Sequence, residues 1–315
     1  MSDHQPARTT LRRPRRLGPG DRVALLTVSS PSTLDRIDEG IDVLRFCGLE
    51  PVEYPSARAR ASTHAFLAGT DEERAKDLRA ALLDDSVAAV LTVGGGYGSQ
   101  RVLEVMDWSG LDAVEPKVVV GYSDVTGLLE ALASRLGWSS VMGPMVSSGE
   151  FRESYSFASL WRCLSAPERY DRLEFPGART LVAGVASGVT AGGNLSLLTG
   201  SVGTTTSWVP PGAIVLVEDD YEDAPRIDIM LTHLRRSGYF ANAAAVVAGT
   251  FVHLGESSEE EAQAVLDDRL GDLGIPVLAN ANLGHGGHVQ SWPIGVPARL
   301  DADAGVVTLL EPPLA

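Results

Sequence analysis

The chain reads as an α/β protein. A Rossmann-like parallel-sheet domain fills the amino-terminal half, and a second, β-rich α+β domain follows it. Three observations predict this. In the first half, short apolar runs alternate with segments whose apolar residues recur at helical spacing. Those runs end in glycine or serine, the residues that let a strand turn tightly into a helix. Near residue 150 the composition shifts, and valine- and glycine-rich runs take over. Short apolar strands separated by helices favour a parallel sheet covered on both faces, with ligands at the strands' carboxyl ends.

The first strand is predicted over residues 22–28 and runs into the turn cluster Ser29-Ser30-Pro31-Ser32. A helix follows, with Leu34, Ile37, Ile41 and Leu44 on its apolar side and Gly48 as its stop. A second helix covers residues 71–83, its first turn acidic as the helix dipole favours. Residues 87–93 form a buried strand that ends at Gly94-Gly95-Gly96-Tyr97-Gly98, and residues 99–106 are helical. A third strand, 117–120, breaks at Gly121-Tyr122-Ser123-Asp124 and leads into a helix over 125–136. The polar and aromatic stretch 151–177 lacks a clear period and reads as a linker. Beyond it, strands are expected at 180–190, 213–217 and 243–251, helices at 194–199, 225–236 and 257–270, and a closing hairpin over 297–310. The expected organisation is a disordered tail (1–17), a Rossmann-like domain (18–150), the linker (151–177) and the second domain (178–315).

At 315 residues the chain can bury a large core without a disulfide or metal staple. Its formal charge of −15 repels phosphate backbones, which argues against a nucleic-acid partner. The five arginines between Arg8 and Arg16 are the local exception and read as a solvated tail. Gly18-Pro19-Gly20-Asp21 stands where an export signal would need an apolar region. No apolar run is long enough to span a membrane. Two cysteines, Cys47 and Cys163, make no disulfide framework, and Cys47 is expected to be buried. These features suit a cytoplasmic protein with no membrane partner.

The strongest chemical signal is Val118-Val-Val-Gly-Tyr-Ser-Asp-Val-Thr-Gly127. A strand, a tight turn and a helix would hold the Ser123 hydroxyl out of the sheet. The Asp124 N–H would then point from the helix's positive end. Val125 replaces the final glycine of the G-x-S-x-G pattern, and Ser123 or Asp124 would also serve as a plain helix cap. The Gly94–Gly98 turn lets backbone N–H groups converge on an anion, yet it lacks the lysine of a phosphate loop. A serine nucleophile needs a base. Of the six histidines, His253 follows a strand and is possible, and Gly284-His285-Gly286-Gly287-His288 is the conspicuous case, because glycines on both sides let an imidazole reach across a cleft. Glu218 ends an apolar strand, and a buried carboxylate there needs a partner. His285 and His288 could instead join Asp219, Asp220 or Glu222 around a metal, although no ligand spacing supports it.

Together these segments resemble the LD-carboxypeptidase family of serine peptidases. The matching pieces are Gly94-Gly-Gly-Tyr-Gly-Ser-Gln-Arg101, Gly121-Tyr-Ser-Asp-Val-Thr126, Gly192-Gly-Asn-Leu195, Val217-Glu-Asp219 with Ala224-Pro-Arg-Ile-Asp228, and Gly284-His-Gly286 with Pro293-Ile-Gly295. The resemblance implies a Ser123–Glu218–His285 triad at the junction of two domains. It implies an oxyanion hole from the N–H of Asp124 and of Gly95 or Gly96, no metal or other cofactor, and a homodimer. The implied substrate is a murein tetrapeptide that loses terminal D-Ala. A sister branch of microcin-immunity peptidases cleaves peptidyl- or aminoacyl-nucleotide conjugates, and Pro293-Ile-Gly-Val296 resembles that branch. Arg226 and Arg101 are candidates for holding a substrate carboxylate. Two rival readings are an α/β-hydrolase esterase, whose usual upstream HGG loop is absent, and a small-molecule binding protein without catalysis.

Overall fold

The computed structural model describes residues 10–315. Two sheets organise them. The first contains β1 (Arg22–Leu26), β2 (Glu50–Glu53), β3 (Val87–Thr92), β4 (Val118–Gly121) and β5 (Ser140–Met142), all parallel. Between them run α1 (Leu34–Phe46), α2 (Asp71–Leu83), α3 (Ser99–Val105) and α4 (Thr126–Ala131). β1, β3, β4 and β5 are buried almost throughout, as expected of a sheet covered on both faces, whereas β2 is an edge strand exposed at Glu50 and Glu53.

The second sheet contains β6 (Arg172–Glu174), β7 (Arg179–Val182), β8 (Val185–Asn194), β9 (Ala213–Asp220), β10 (Ala243–Val252), β11 (Val277–Ala279), β13 (Pro297–Asp301) and β14 (Val306–Leu309). Its order is β6-β14-β13-β8-β9-β10-β11-β7. The centre, β8-β9-β10-β11, is parallel, and its crossovers are α6 (Leu195–Ser201), α7 (Ala224–Arg236) and α8 (Glu259–Leu270). The antiparallel strands lie at its two ends, where β13 and β14 form the expected hairpin. The second unit is therefore a wound parallel sheet extended by antiparallel edges.

Local chemistry explains where the helices start. Thr70 with Glu73, and Ser258 with Glu261, form reciprocal capping boxes on α2 and α8. Asp223 caps α7 through the Arg226 N–H, with Pro225 in the first turn. Leu34 differs from expectation: it is exposed, and Gly40 takes its place on the buried side of α1 with Ile37, Ile41 and Leu44. Cys47 is half-buried at the end of that helix.

Three further departures from the sequence reading concern the domain limits. Residues 10–17 are anchored, although a disordered tail was expected through residue 17; Arg8 lies outside the described residues. Leu11 and Leu17 are buried, Arg12 N–H donates to the Gly137 carbonyl at 2.7 Å, and the Ala315 N–H donates to the Pro14 carbonyl at 2.8 Å. The arginines turn outward to Asp21, Glu168 and Glu311, so apolar anchors hide inside a basic stretch. The expected linker contains α5 (Ser154–Ser165), capped by Glu153 and buried through Leu160, Cys163 and Leu164. Finally, β12 (Trp292–Ile294) crosses back to pair antiparallel with β5, as an edge of the first sheet. Its fully buried Trp292 donates its indole N–H to the Ala191 carbonyl of β8 at 3.2 Å, tying both sheets together.

Candidate active site

The turn and helix that follow β4 meet the end of β8 in the second sheet, where the Asn194 N–H donates to the Thr126 hydroxyl at 3.1 Å, and the chemistry gathers there. Ser123 follows β4 by two residues and adopts φ +58°, a left-handed conformation unusual for a non-glycine residue. A short 3-10 turn, Ser123–Val125, then opens into α4. Gly121 makes the turn possible, because a Cβ there would collide with Val125 and Thr92. Neither Ser123 nor Asp124 is a plain helix cap: the turn and α4 carry no side-chain cap. Such strain persists only where the surroundings over-determine it, and it clusters at functional sites.

Asp124 supplies part of that determination. Its buried carboxylate accepts from the Ser29 hydroxyl at 2.6 Å and from the Ser99 N–H at 2.8 Å. It thereby staples the β1 turn and the start of α3 to the Ser123 turn. Burial raises its pKa, while those hydrogen bonds oppose the rise. The Gly94–Gly98 turn packs alongside. A Cβ at Gly95 would lie 3.2 Å from Ser123 Cβ, whereas one at Gly96 would strike the Ser30 side chain. Of the two glycines that the sequence left open, Gly95 therefore faces Ser123.

The second sheet brings in the acid and the imidazole. Glu218 is fully buried in β9, within the strand, which extends to Asp220. His285 Nδ1 lies 2.6 Å from Glu218 Oε2. Gly284, at φ +104°, admits this contact, because a Cβ there would overlap the Glu218 carboxylate. The Thr250 hydroxyl donates to the His285 carbonyl at 2.5 Å and fixes the loop from below. The His285 ring packs 4.8 Å from the Tyr122 ring, beside the residue that precedes Ser123. Burial by itself would lower the His285 pKa, but the carboxylates around it, Glu218 foremost and then Asp220 and Asp219, together push the value up to about 9.

The other carboxylates separate by strand alternation. Asp219 faces away and accepts from Asn194 Nδ2 at 2.8 Å and from the Ser196 N–H at 2.9 Å, which places it at the start of α6. Burial, then the neighbouring Glu218 charge, push its carboxyl up to about 6. Asp220 returns to the Glu218 face. His288 turns to Glu153 at 3.3 Å, so the metal grouping considered from sequence is not assembled. Among the described residues no cluster of His, Cys, Asp and Glu has the makings of a metal site.

The two candidate carboxylate-binding arginines stand elsewhere. Arg101 is committed to Asp71 through Nε and Nη2, the latter at 2.7 Å. Arg226 is exposed on α7, 3.5 Å from Glu222. Tyr122 and Ser29 escaped the sequence reading as site residues; Asp220 was read there only as a possible metal ligand, although its i+2 spacing from Glu218 puts it on the same face. A small crevice at the His285 loop, with a volume of about 10 Å³, is lined by Tyr122, Pro144, Gly284, Gln290 and Trp292.

The profile of the LD-carboxypeptidase N-terminal domain matches residues 23–143, and that of the C-terminal domain matches residues 187–300. The chain is 43% identical over 306 residues to a putative carboxypeptidase of Streptomyces coelicolor, spanning 96% of this chain and 97% of that one. It is 32% identical over 295 residues to a probable murein peptide carboxypeptidase of Bacillus subtilis, spanning 92% and 91%. A solved structure of MccF in complex with glutamyl sulfamoyl guanosine shares the fold at a TM-score of 0.85 and 20% identity, spanning 96% and 99%. Among the described residues, no helix is long and apolar enough to cross a membrane.

Proposed function

The chain belongs to the LD-carboxypeptidase family, and on that premise we propose that it is a serine peptidase releasing terminal D-Ala from a murein tetrapeptide. The observation that carries this reading is the 2.6 Å contact of His285 with buried Glu218, set against the turn that strains Ser123. The 32% identity to a probable murein peptide carboxypeptidase supports the substrate class.

In this reading the Ser123 hydroxyl attacks the carbonyl of the L-centre. His285 Nε2 takes its proton and returns it to the departing D-Ala amine. Glu218 holds the proton on Nδ1 and stabilises the imidazolium. The N–H groups of Asp124 and Gly95 receive the developing oxyanion; the approach of Gly95 to Ser123 favours it over Gly96. No step calls for a cofactor. The resemblance further supports a cytoplasmic homodimer.

The test is to incubate the protein with murein tetrapeptide and, separately, with an aminoacyl sulfamoyl-adenosine, following both by mass spectrometry. Loss of D-Ala, abolished about 10³-fold or more in Ser123→Ala, is the expected result. Cleavage of only the nucleotide conjugate would transfer the enzyme to the immunity-type substrate. Failure of Ser123 to react with a serine-directed phosphonate would sink the catalytic reading in favour of a binding protein.

A further inference from the structure

Glu218 and Asp220, two residues apart on β9, present their carboxylates to the same side of the sheet. Glu218 meets Nδ1 of His285; Asp220 Oδ2 stands 3.9 Å from Nε2, the nitrogen that must serve Ser123. The other Asp220 oxygen is held 2.6 Å from Nδ1 of His253, just beyond β10. His253 in turn stacks on Tyr221, with ring centroids 4.7 Å apart and planes 13° from parallel. Both stacked residues are non-glycine and left-handed, Tyr221 at φ +62° and His253 at φ +51°. Such strain clusters at functional sites, and here it falls next to Asp220 and on its partner His253.

We propose that Asp220 is a second carboxylate partner of His285, held on the Nε2 side of the ring by His253, and that it sets the pH at which the base becomes available to Ser123. This rests on the catalytic reading above and assigns Asp220 as a positioning residue that acts through His285. The groups around the ring are Glu218, Asp219 and Asp220 from β9, His253 beyond β10, and Tyr122, whose hydroxyl donates to Glu150 at 3.1 Å. After the Glu218 interactions, the Asp220 charge is the next influence that raises His285. Two consequences follow from one charge. At rest Asp220 favours the imidazolium, which cannot accept a proton, so activity at low pH is suppressed. Once Ser123 has given up its proton, the same carboxylate stabilises the imidazolium that forms.

The test is an NMR titration of ¹³C-labelled histidines in the full chain, with His285→Gln identifying the His285 signal. Asp220→Asn should lower the His285 midpoint by about one pH unit, as a unit charge at 3.9 Å under near-aqueous screening requires. His253→Ala frees Asp220 to turn toward His285 and should raise the midpoint by a fraction of a unit, but only while Asp220 is present. The acid limb of kcat/KM should move with the midpoint, and the plateau of Asp220→Asn should fall severalfold. An unchanged midpoint in folded Asp220→Asn would overturn the proposal; if that variant does not fold, His253→Ala with an unchanged midpoint does the same. Because the titration needs no turnover, a midpoint that moves in a protein without peptidase activity would discard the catalytic reading and leave the Asp220 contact standing. Hydrolysis with an unmoved midpoint would do the reverse.

Discussion

Replacing Glu218 by Gln should cost both rate and the pH position of the base. Burial works against a charged His285, and Glu218, helped by Asp220 and Asp219, reverses that, lifting the imidazole from its ordinary 6.5 to about 9. Removing the charge leaves burial opposed only by Asp220 and Asp219, so the value should fall by about two units or more, roughly 3 kcal/mol of lost imidazolium stabilisation. An amide at position 218 can also donate to Nδ1, which would place the ring proton on Nε2 and block the base. In a serine triad that substitution costs on the order of 10⁴ in kcat. The assay is kcat/KM on a murein tetrapeptide from roughly pH 5 to 10, read for the plateau and the acid limb. In the wild type the limb should lie on the alkaline side of neutrality, since His285 must lose its proton to act. In the variant it should move to lower pH on a plateau reduced about 10³–10⁴-fold. Stability gives an independent sign check. A folded-state pKa raised above the unfolded one contributes stability that is complete below about 6.5 and is lost as pH rises through about 9. The stability gap between wild type and variant should therefore narrow above that range. A Glu218→Gln enzyme within tenfold of wild-type rate, with its limb unmoved, would refute the pairing as the source of the base.

Four other substitutions separate roles in the site from roles in the fold. Gly284→Ala puts a methyl into the Glu218 carboxylate at a φ of +104°, so it should lower melting temperature and reduce kcat at least about 10²-fold; retained activity would mean the loop has another way to seat His285. Gly95→Ala brings a methyl to 3.2 Å from Ser123 Cβ without a positive φ, and should cost about 10²-fold in kcat with the fold intact. Gly96→Ala, at φ +103° against Ser30, should lose stability first, and comparing the two by calorimetry and rate identifies the glycine that faces the oxyanion. Ser258→Ala removes the capping box of α8 and should cost about 1 kcal/mol in denaturant unfolding while leaving kcat unchanged.

Much of the fold was legible because its signals are local. The apolar runs at β1, β3 and β4, the acidic first turn of α2 and the proline and aspartate that open α7 each act within a few residues. The same holds for the Ser123 turn, where Gly121 and the following helix are adjacent in the chain, and for the glycines that flank His285. The helix inside the expected linker was missed because four serines interrupt its apolar residues, although Phe157, Leu160, Trp161 and Leu164 recur at helical spacing and pack on the core. The anchored segment 10–17 was missed because two buried leucines are outweighed in composition by arginines.

Local patterns therefore specify the parallel sheet, the tight turn that presents Ser123 and the glycine-flanked loop that carries His285. Only the tertiary structure decided which of three consecutive carboxylates meets the imidazole, which glycine approaches Ser123, that Arg101 is spent on Asp71, and that β12 returns to the first sheet. The physical reason is separation along the chain. Glu218 and His285 lie 67 residues apart. Strand alternation says only that Glu218 and Asp220 share a face; which face looks toward Ser123 is set by how two sheets pack, a sum over contacts that no local pattern encodes.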